Sequence, residues 1–266
     1  MLSKVKIYLN LVMFSHTLFS LPFAICALLL IHPNLKLYFL TILSLISART
    51  LANALNRIVD ASIDIRNPRT ADRPLCTGEI SITDTYIFTL VTAIVFLISV
   101  IFINVQLVTF LPIIVLLFVF YALTKRITAA CHFILGFICS LSVVGVCLAC
   151  NSPIYWKLAA ACALSVTGFD ILYAIDDIEF DRAFGLHSIP AALGEKKSVL
   201  VSATCLFASS YFSGTFLLSA GLCAYLISTL SIVLAFMGYY KFAAYRMNQY
   251  AGVIRLLVFG INYTKI

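Results

Sequence analysis

The composition of this chain predicts an all-α polytopic membrane fold, about nine transmembrane helices forming one domain over residues 1–266. Three observations predict it. Of the 266 residues, 62% are hydrophobic and only 11% are charged, with a mean hydropathy of +1.06; a soluble domain averages about 25% charged residues. The apolar residues run in stretches long enough to cross a bilayer. Helix is the open-ended structure that satisfies its own backbone in lipid, and a barrel would need short alternating strands, which the sequence lacks.

The spans fall at roughly residues 8–31, 36–60, 83–103, 105–124, 129–150, 155–176, 198–216, 219–240 and 247–263, with ends uncertain by about four residues. The first follows Lys4 and Lys6 like a signal peptide, but its apolar run reaches about Ile31 with no small-residue cleavage site, so it reads as a transmembrane helix. The last is short and carries Arg255. The nine cysteines are scattered, most of them inside apolar stretches, and behave as small hydrophobes. Cys147 and Cys150 have metal or redox spacing, but no second pair supports such a site.

The basic residues orient the spans. With the N-terminus in the cytoplasm, Lys4, Lys6, Arg57, Arg66, Arg69, Arg73, Lys125, Arg126, Arg182, Lys196, Lys197, Lys241 and Arg246 lie on the cytoplasmic side, and Lys36, Lys157 and Lys265 lie outside. The net charge of +7 is then a topology signal and a contact with anionic lipid, with no nucleic-acid partner implied.

All acidic residues lie between Asp60 and Glu195. They concentrate at the ends of spans two and six, both on the cytoplasmic face, and in the polar loops that follow at about 64–82 and 177–197. Carboxylates in or beside hydrocarbon are costly and mark functional sites. Arg49, Asn53, Asn56, Asp60 and Asp64 recur at helical steps along span two, and Asp170, Tyr173, Asp177 and Asp181 along span six. Asp176 and Glu179 point elsewhere. A polar packing seam accounts poorly for five groups on one stripe that include an arginine and two carboxylates. For Asp170, a hydrogen bond or ion pair between helices weighs as much as a direct role with substrate.

Two such acidic faces suit a hard cation and a diphosphate. Magnesium takes oxygen ligands, usually one or two carboxylates plus substrate phosphates. Acid clusters alone repel a diphosphate, so cations are needed too. Arg69 and Arg73 in "RNPRTADRP", Lys125 and Arg126 in "YALTKR", and Arg182 after the second cluster supply them. Arg66 is a further candidate in the first loop. His132 reads as a hydrogen-bonding partner more than a catalyst, and His187 is a weak candidate. Of the 21 Phe and 13 Tyr, only Tyr173 is singled out by position.

The segments "NRIVDASIDIRNPRTADRPL" and "GFDILYAIDDIEFDRAFGLHSIPAALG" closely resemble the paired aspartate-rich signatures of the UbiA-type intramembrane aromatic prenyltransferases. "ARTLANALNRIVD" and "YALTKRITAACHFILG" resemble the 4-hydroxybenzoate polyprenyltransferase branch and its relative in futalosine-type menaquinone synthesis. The resemblance covers nearly the whole chain. It implies a helical bundle around a central cavity open sideways to lipid, in the cell's inner membrane. Asn56, Asp60, Asp64, Asp177 and Asp181 would hold Mg²⁺ and the diphosphate. Arg57 stands where some members carry Asp, a replacement typical of the 4-hydroxybenzoate-like branch.

The implied reaction is Mg²⁺-dependent transfer of a polyprenyl group from its diphosphate to a ring carbon of a small aromatic acid. Asp60, Asp64, Asp177 and Asp181 are the catalytic carboxylates; Asp170 or released diphosphate is the base. Arg49, Asn53 and Tyr173 are the candidate acceptor-binding residues, with Arg49 on the acceptor's carboxylate. The expected acceptor is 4-hydroxybenzoate in ubiquinone synthesis, with 1,4-dihydroxy-6-naphthoate in menaquinone synthesis as the alternative. A cation-coupled transporter is disfavoured, because it would place its carboxylates near the midplane.

Overall fold

A computed structural model describes residues 2–13, 20–215, 218–240, 243 and 246–263; Lys241 and Lys265, used above for orientation, and the side chain of Arg255 lie outside the described set. No strand occurs among the described residues. Helices α1 (Leu2–Leu11), α2 (Leu21–Ile31), α3 (Leu35–Asp64), α4 (Pro74–Thr77), α5 (Ile82–Ile103), α6 (Leu111–Thr124) and α7 (Cys131–Ala149) are followed by α8 (Trp156–Ala174), α9 (Ile178–Ala183), α10 (Ile189–Leu193), α11 (Glu195–Gly214), α12 (Leu218–Phe236) and α13 (Met247–Tyr263). The segments Leu35–Asp64, Ile82–Ile103, Val105–Thr124, Cys131–Ala149 and Trp156–Ala183 are long and apolar enough to cross a membrane, and Leu21–Ile31 and Leu222–Phe236 are shorter apolar helices. Helix α11, the expected seventh span, falls outside that group; its charged start and its serines dilute its hydropathy.

Three elements differ from the sequence expectation. The first span is not continuous: α1 ends at Leu11, and Met13 takes φ +46°, a left-handed conformation that a helix cannot contain. The Asn53 side-chain amide donates to Val12 O at 2.7 Å and satisfies one of the carbonyls left over at that helix end. The fourth span opens as a 3₁₀ turn, Val105–Phe110, before α6 takes over next to Pro112. The sixth breaks into α8, a 3₁₀ turn at Ile175–Asp177 and α9. A 3₁₀ turn advances side chains by about 120° per residue instead of 100°, so Asp177 and Asp181 are rotated away from the straight stripe predicted through Asp170 and Tyr173.

The chain forms two compact units. One contains α1 and the segment Asn34–Leu123, in which α3 packs along α5 and α1 against α4. Asn34 caps α3 by accepting from Leu37 N. Ser81 and Asp84 cap α5 reciprocally: Ser81 Oγ accepts from Asp84 N and donates to Asp84 Oδ2. The threonines buried on α5, Thr85, Thr89 and Thr92, return their hydroxyls to carbonyls of their own helix, so none brings an unsatisfied group into the packing.

The other unit contains α2 and the chain from Thr124 onward. Here α8 is packed on one side by α7 and on another by α11; α12 covers α11, α13 lies on α12, and α2 packs on α7 and α13. Lipid tails are as apolar as leucine, so close packing and hydrogen bonds between helices, more than burial, drive such contacts. Small residues permit them. A Cβ on Gly168 would lie 2.7 Å from Leu206 Cγ, and one on Gly136 would lie 2.2 Å from Thr167 Oγ1 and 2.4 Å from Ala163 O. Ser202 Oγ donates to Gly168 O and Ser209 Oγ to Ala161 O, both at 2.7 Å, tying α11 to α8.

Because the obstacle at Gly136 includes a backbone carbonyl, Gly136→Ala must push α7 away from α8. Thermal unfolding in detergent should show a loss of about 1–3 kcal/mol, the usual cost of overpacking; an unchanged melting point would mean that the two helices tolerate wider spacing.

Candidate functional site

The acidic end of α3 is wired into the loop behind it. Asp64, the last residue of α3, is buried, and its Oδ2 accepts from Arg57 Nη1 at 3.0 Å and from Arg73 Nη1. Arg57 precedes Asp64 by seven residues, two helical turns, which puts both on one face. Arg73 arrives because the loop folds back. Thr70 Oγ1 donates to Asp64 O at 2.9 Å, and Asn67 Oδ1 accepts from Arg69 N at 2.9 Å. In the amide orientation its neighbours require, Asn56 donates to Asp60 Oδ2 at 3.2 Å and accepts from Arg57 Nη2 at 2.7 Å. Asp60, Asn56, Arg57, Asp64 and Arg73 thus form one hydrogen-bonded chain.

Of the groups predicted along this stretch, the structure brings Asn56, Asp60, Asp64 and Arg73 together. Arg66 is exposed and Arg69 half-buried. Arg49 lies eleven residues before Asp60, about 16 Å along α3. Asn53, expected beside a substrate, has its amide on Val12 O. Arg57 was read from sequence only as a cytoplasmic cation; its spacing of seven from Asp64 was the signal of its partner.

The second cluster is organised by Lys125. Its ammonium lies 3.6 Å from Asp181 Oδ2 and 4.0 Å from Asp177 Oδ2; both carboxylates are 1% exposed and the lysine side chain 37%. Asp181 Oδ2 also accepts from Ser188 Oγ at 2.8 Å, and that serine caps α10 by accepting from Ala191 N. The loop holds Lys125 in place by its backbone: His187 N donates to Lys125 O at 2.6 Å, and Leu186 N to Asp181 O at 2.8 Å. Burial lowers the Lys125 pKa, but Asp181 and Asp177 outweigh it, so the pKa rises above its ordinary 10.5. Arg126 and Arg182 are exposed, and Arg182 Nε donates to Ala191 O, bracing the loop. Tyr173 is half-buried against the apolar cluster of Phe169, Leu172 and Val199. Asp176 and Glu179 face outward, as expected from the sequence.

Asp170 has a partner that sequence reasoning did not assign. His132, fully buried at the start of α7, places Nδ1 2.6 Å from Asp170 Oδ2. Ser188 was likewise missed, since nothing in a loop serine's local sequence indicates a carboxylate seven residues earlier.

Among the described residues, no three His, Cys, Asp or Glu side chains gather closely enough to hold a metal by themselves. The oxygen donors come as short sets, Asn56 with Asp60 and Asp177 with Asp181. That donor chemistry fits magnesium, which completes its coordination with phosphate oxygens and water.

The chain is similar to known proteins in sequence and fold. Residues 18–259 match the profile of the UbiA prenyltransferase family. A 4-hydroxybenzoate octaprenyltransferase from Shewanella piezotolerans is 25% identical over 253 residues, covering 87% of this chain and 85% of that protein. The apo structure of a UbiA homologue from Aeropyrum pernix superposes with a TM-score of 0.85 at 28% identity, over 93% of this chain and 98% of that one. A UbiA homologue from Archaeoglobus fulgidus, solved with GPP and Mg²⁺, shares the fold with a TM-score of 0.69 at 17% identity, over 98% of this chain and all of that one.

A raised lysine pKa makes a signed prediction. The stabilisation it reflects is fully present below the unfolded value of 10.5 and is lost as pH rises through the higher folded value. The gap in melting temperature between wild type and Lys125→Met should hold steady from neutral pH to about 10.5 and close above it. A gap that closes well below that pH would mean that Asp177 and Asp181 do not hold the ammonium.

Proposed function

Because the chain belongs to the UbiA prenyltransferase family, we propose that it transfers a polyprenyl group from polyprenyl diphosphate to a ring carbon of 4-hydroxybenzoate, as a multi-pass enzyme of the inner membrane. The family makes it a prenyltransferase; the curated relatives are named for this acceptor. The observation that carries the reading is the pair Asp177 and Asp181, almost wholly buried and facing the Lys125 ammonium. Residues 1–266 act as one catalytic domain, with the N-terminus and both acidic clusters on the cytoplasmic side.

Asn56, Asp60, Asp177 and Asp181 are the residues that would hold Mg²⁺. When bound, that ion neutralises charge on the departing diphosphate. We assign Asp64 to seating Arg57 and Arg73, since its carboxylate already serves two guanidiniums. Arg69, Arg73, Lys125, Arg126 and Arg182 supply the positive field for the diphosphate, and the arginines can grip phosphate oxygens in pairs. An allylic C–O bond ionises, with the electron pair leaving on the diphosphate. The phenol's ring carbon beside its hydroxyl supplies the pair for the new C–C bond, and Asp170 takes the proton from that carbon. Arg49 binds the acceptor's carboxylate, and Tyr173 presents a ring face to the cation.

Membranes containing the protein, supplied with labelled polyprenyl diphosphate and Mg²⁺, should prenylate 4-hydroxybenzoate, and EDTA should abolish the product. Product from 1,4-dihydroxy-6-naphthoate alone would keep the reaction class and replace the acceptor. Asp60→Asn and Asp177→Asn should each lower kcat on the order of 10²–10³-fold; full activity in either variant would refute its place in the metal site.

Arg49→Ala tests acceptor binding separately. It should raise KM for the aromatic acid several-fold while leaving KM for the prenyl diphosphate near the wild-type value. Equal changes in both would remove Arg49 from the acceptor site.

A further inference from the structure

We propose that His132 is a positioning residue that orients Asp170 for its encounter with the acceptor; this deepens the prenyl-transfer reading above and rests on it. His132 has no exposed surface, whereas the Asp170 side chain is 28% exposed. Of the pair, only the carboxylate is presented to an arriving molecule. The imidazole Nδ1 lies 2.6 Å from Asp170 Oδ2, bridging α7 and α8.

The His132 backbone is tied to α8. Thr167 Oγ1, on α8, lies 3.2 Å from His132 O and 2.8 Å from Ala163 O. Gly136, one turn further along α7, allows the backbones to approach so closely that a Cβ would not fit. The backbone from which the imidazole projects is therefore fixed relative to α8.

The other ring nitrogen makes a purely structural tie a poor account. Among the described residues, His132 Nε2 is buried and has no hydrogen-bond partner. A buried polar atom left in that state costs free energy and calls for a reason. Serine or threonine ties helices elsewhere in this unit without that penalty, as Ser202 and Ser209 do. A histidine bonded through one nitrogen instead delivers a donor of fixed direction. An Nδ1–H given to Asp170 Oδ2 fixes which carboxylate oxygen is held and from which direction.

The consequence is an oriented anion about 10 Å along the chain from Asp177, seven residues away at helical rise. Asp170 Oδ2 is held by His132. After the C–C bond forms, the substituted ring carbon gives its proton to the carboxylate, the C–H electron pair returns to the ring, and aromaticity is restored. The imidazole keeps its own protons throughout.

The test uses the full-length protein in nanodiscs with prenyl diphosphate, Mg²⁺ and 4-hydroxybenzoate, and follows pyrophosphate release without acceptor separately from ring prenylation. His132→Leu should lower kcat for prenylation on the order of 10²-fold, with KM for the prenyl donor and acceptor-free pyrophosphate release within about twofold of wild type. His132→Asn, whose amide nitrogen stands close to the position of Nδ1, should recover activity to within about tenfold. His132→Gln, with its amide displaced toward Nε2, should not. Asp170→Asn combined with His132→Leu should be no worse than Asp170→Asn alone.

Additive losses, equal damage to pyrophosphate release and prenylation, or His132→Asn no better than His132→Gln would each overturn the proposal. The asparagine and glutamine comparison decides the matter if His132→Leu fails to fold. A wild-type protein that releases no pyrophosphate would bring down the prenyl-transfer reading, and the proposal with it. Normal release with unimpaired prenylation in His132→Leu would bring down the proposal alone.

Discussion

A carboxylate withdrawn from water must be given a positive or hydrogen-bonding partner, and that requirement organises this protein. Ionised carboxylates lose several kcal/mol of solvation on burial, so the deeply placed ones come with partners in position. Asp64 lies between Arg57 and Arg73, Asp177 and Asp181 share Lys125, and Asp170 is paired with His132. Each partner depends on something else holding it. The fold-back at Asn67 and Thr70 brings in Arg73, the backbone bond from His187 anchors Lys125, and the close packing of α7 on α8 seats His132.

This arrangement suits a site whose charge changes during its work. In the resting protein, cations neutralise the acids. On the proposed reading, an incoming anion could take up those cations as its own partners, so that no charge is left alone in a low dielectric. Arg73 in one unit and Lys125 in the other each rest on a carboxylate. The 3₁₀ turn at Ile175–Asp177 contributes by re-aiming Asp177 off the stripe that carries Asp170, which lets one helix present a carboxylate to Lys125 and another to His132.

The apolar framework contributes through close fit. Glycine and serine at the α7, α8 and α11 contacts let backbones approach until side-chain hydroxyls reach carbonyls on the next helix. Such contacts bring α7 and α8 close enough for His132 Nδ1 to lie 2.6 Å from Asp170 Oδ2. Leucine and phenylalanine make up much of the outer surface, where a bilayer rather than a neighbouring helix is the partner.

The sequence by itself determined the helical class, the positions of most spans and the acidic stripe along α3, because these follow from local rules: hydropathy over some twenty residues and the 3.6-residue period. Arg57 with Asp64 was legible in the same way. The break after α1, the 3₁₀ turn inside the sixth span, and the partners of the carboxylates were decided only by the tertiary structure. His132 and Asp170 are 38 residues apart, and Asn53 and Val12 are 41 apart. Neither pair leaves a mark on its own neighbourhood, because a buried charge is answered by whatever group the folded chain brings within reach, and that is a property of packing rather than of period.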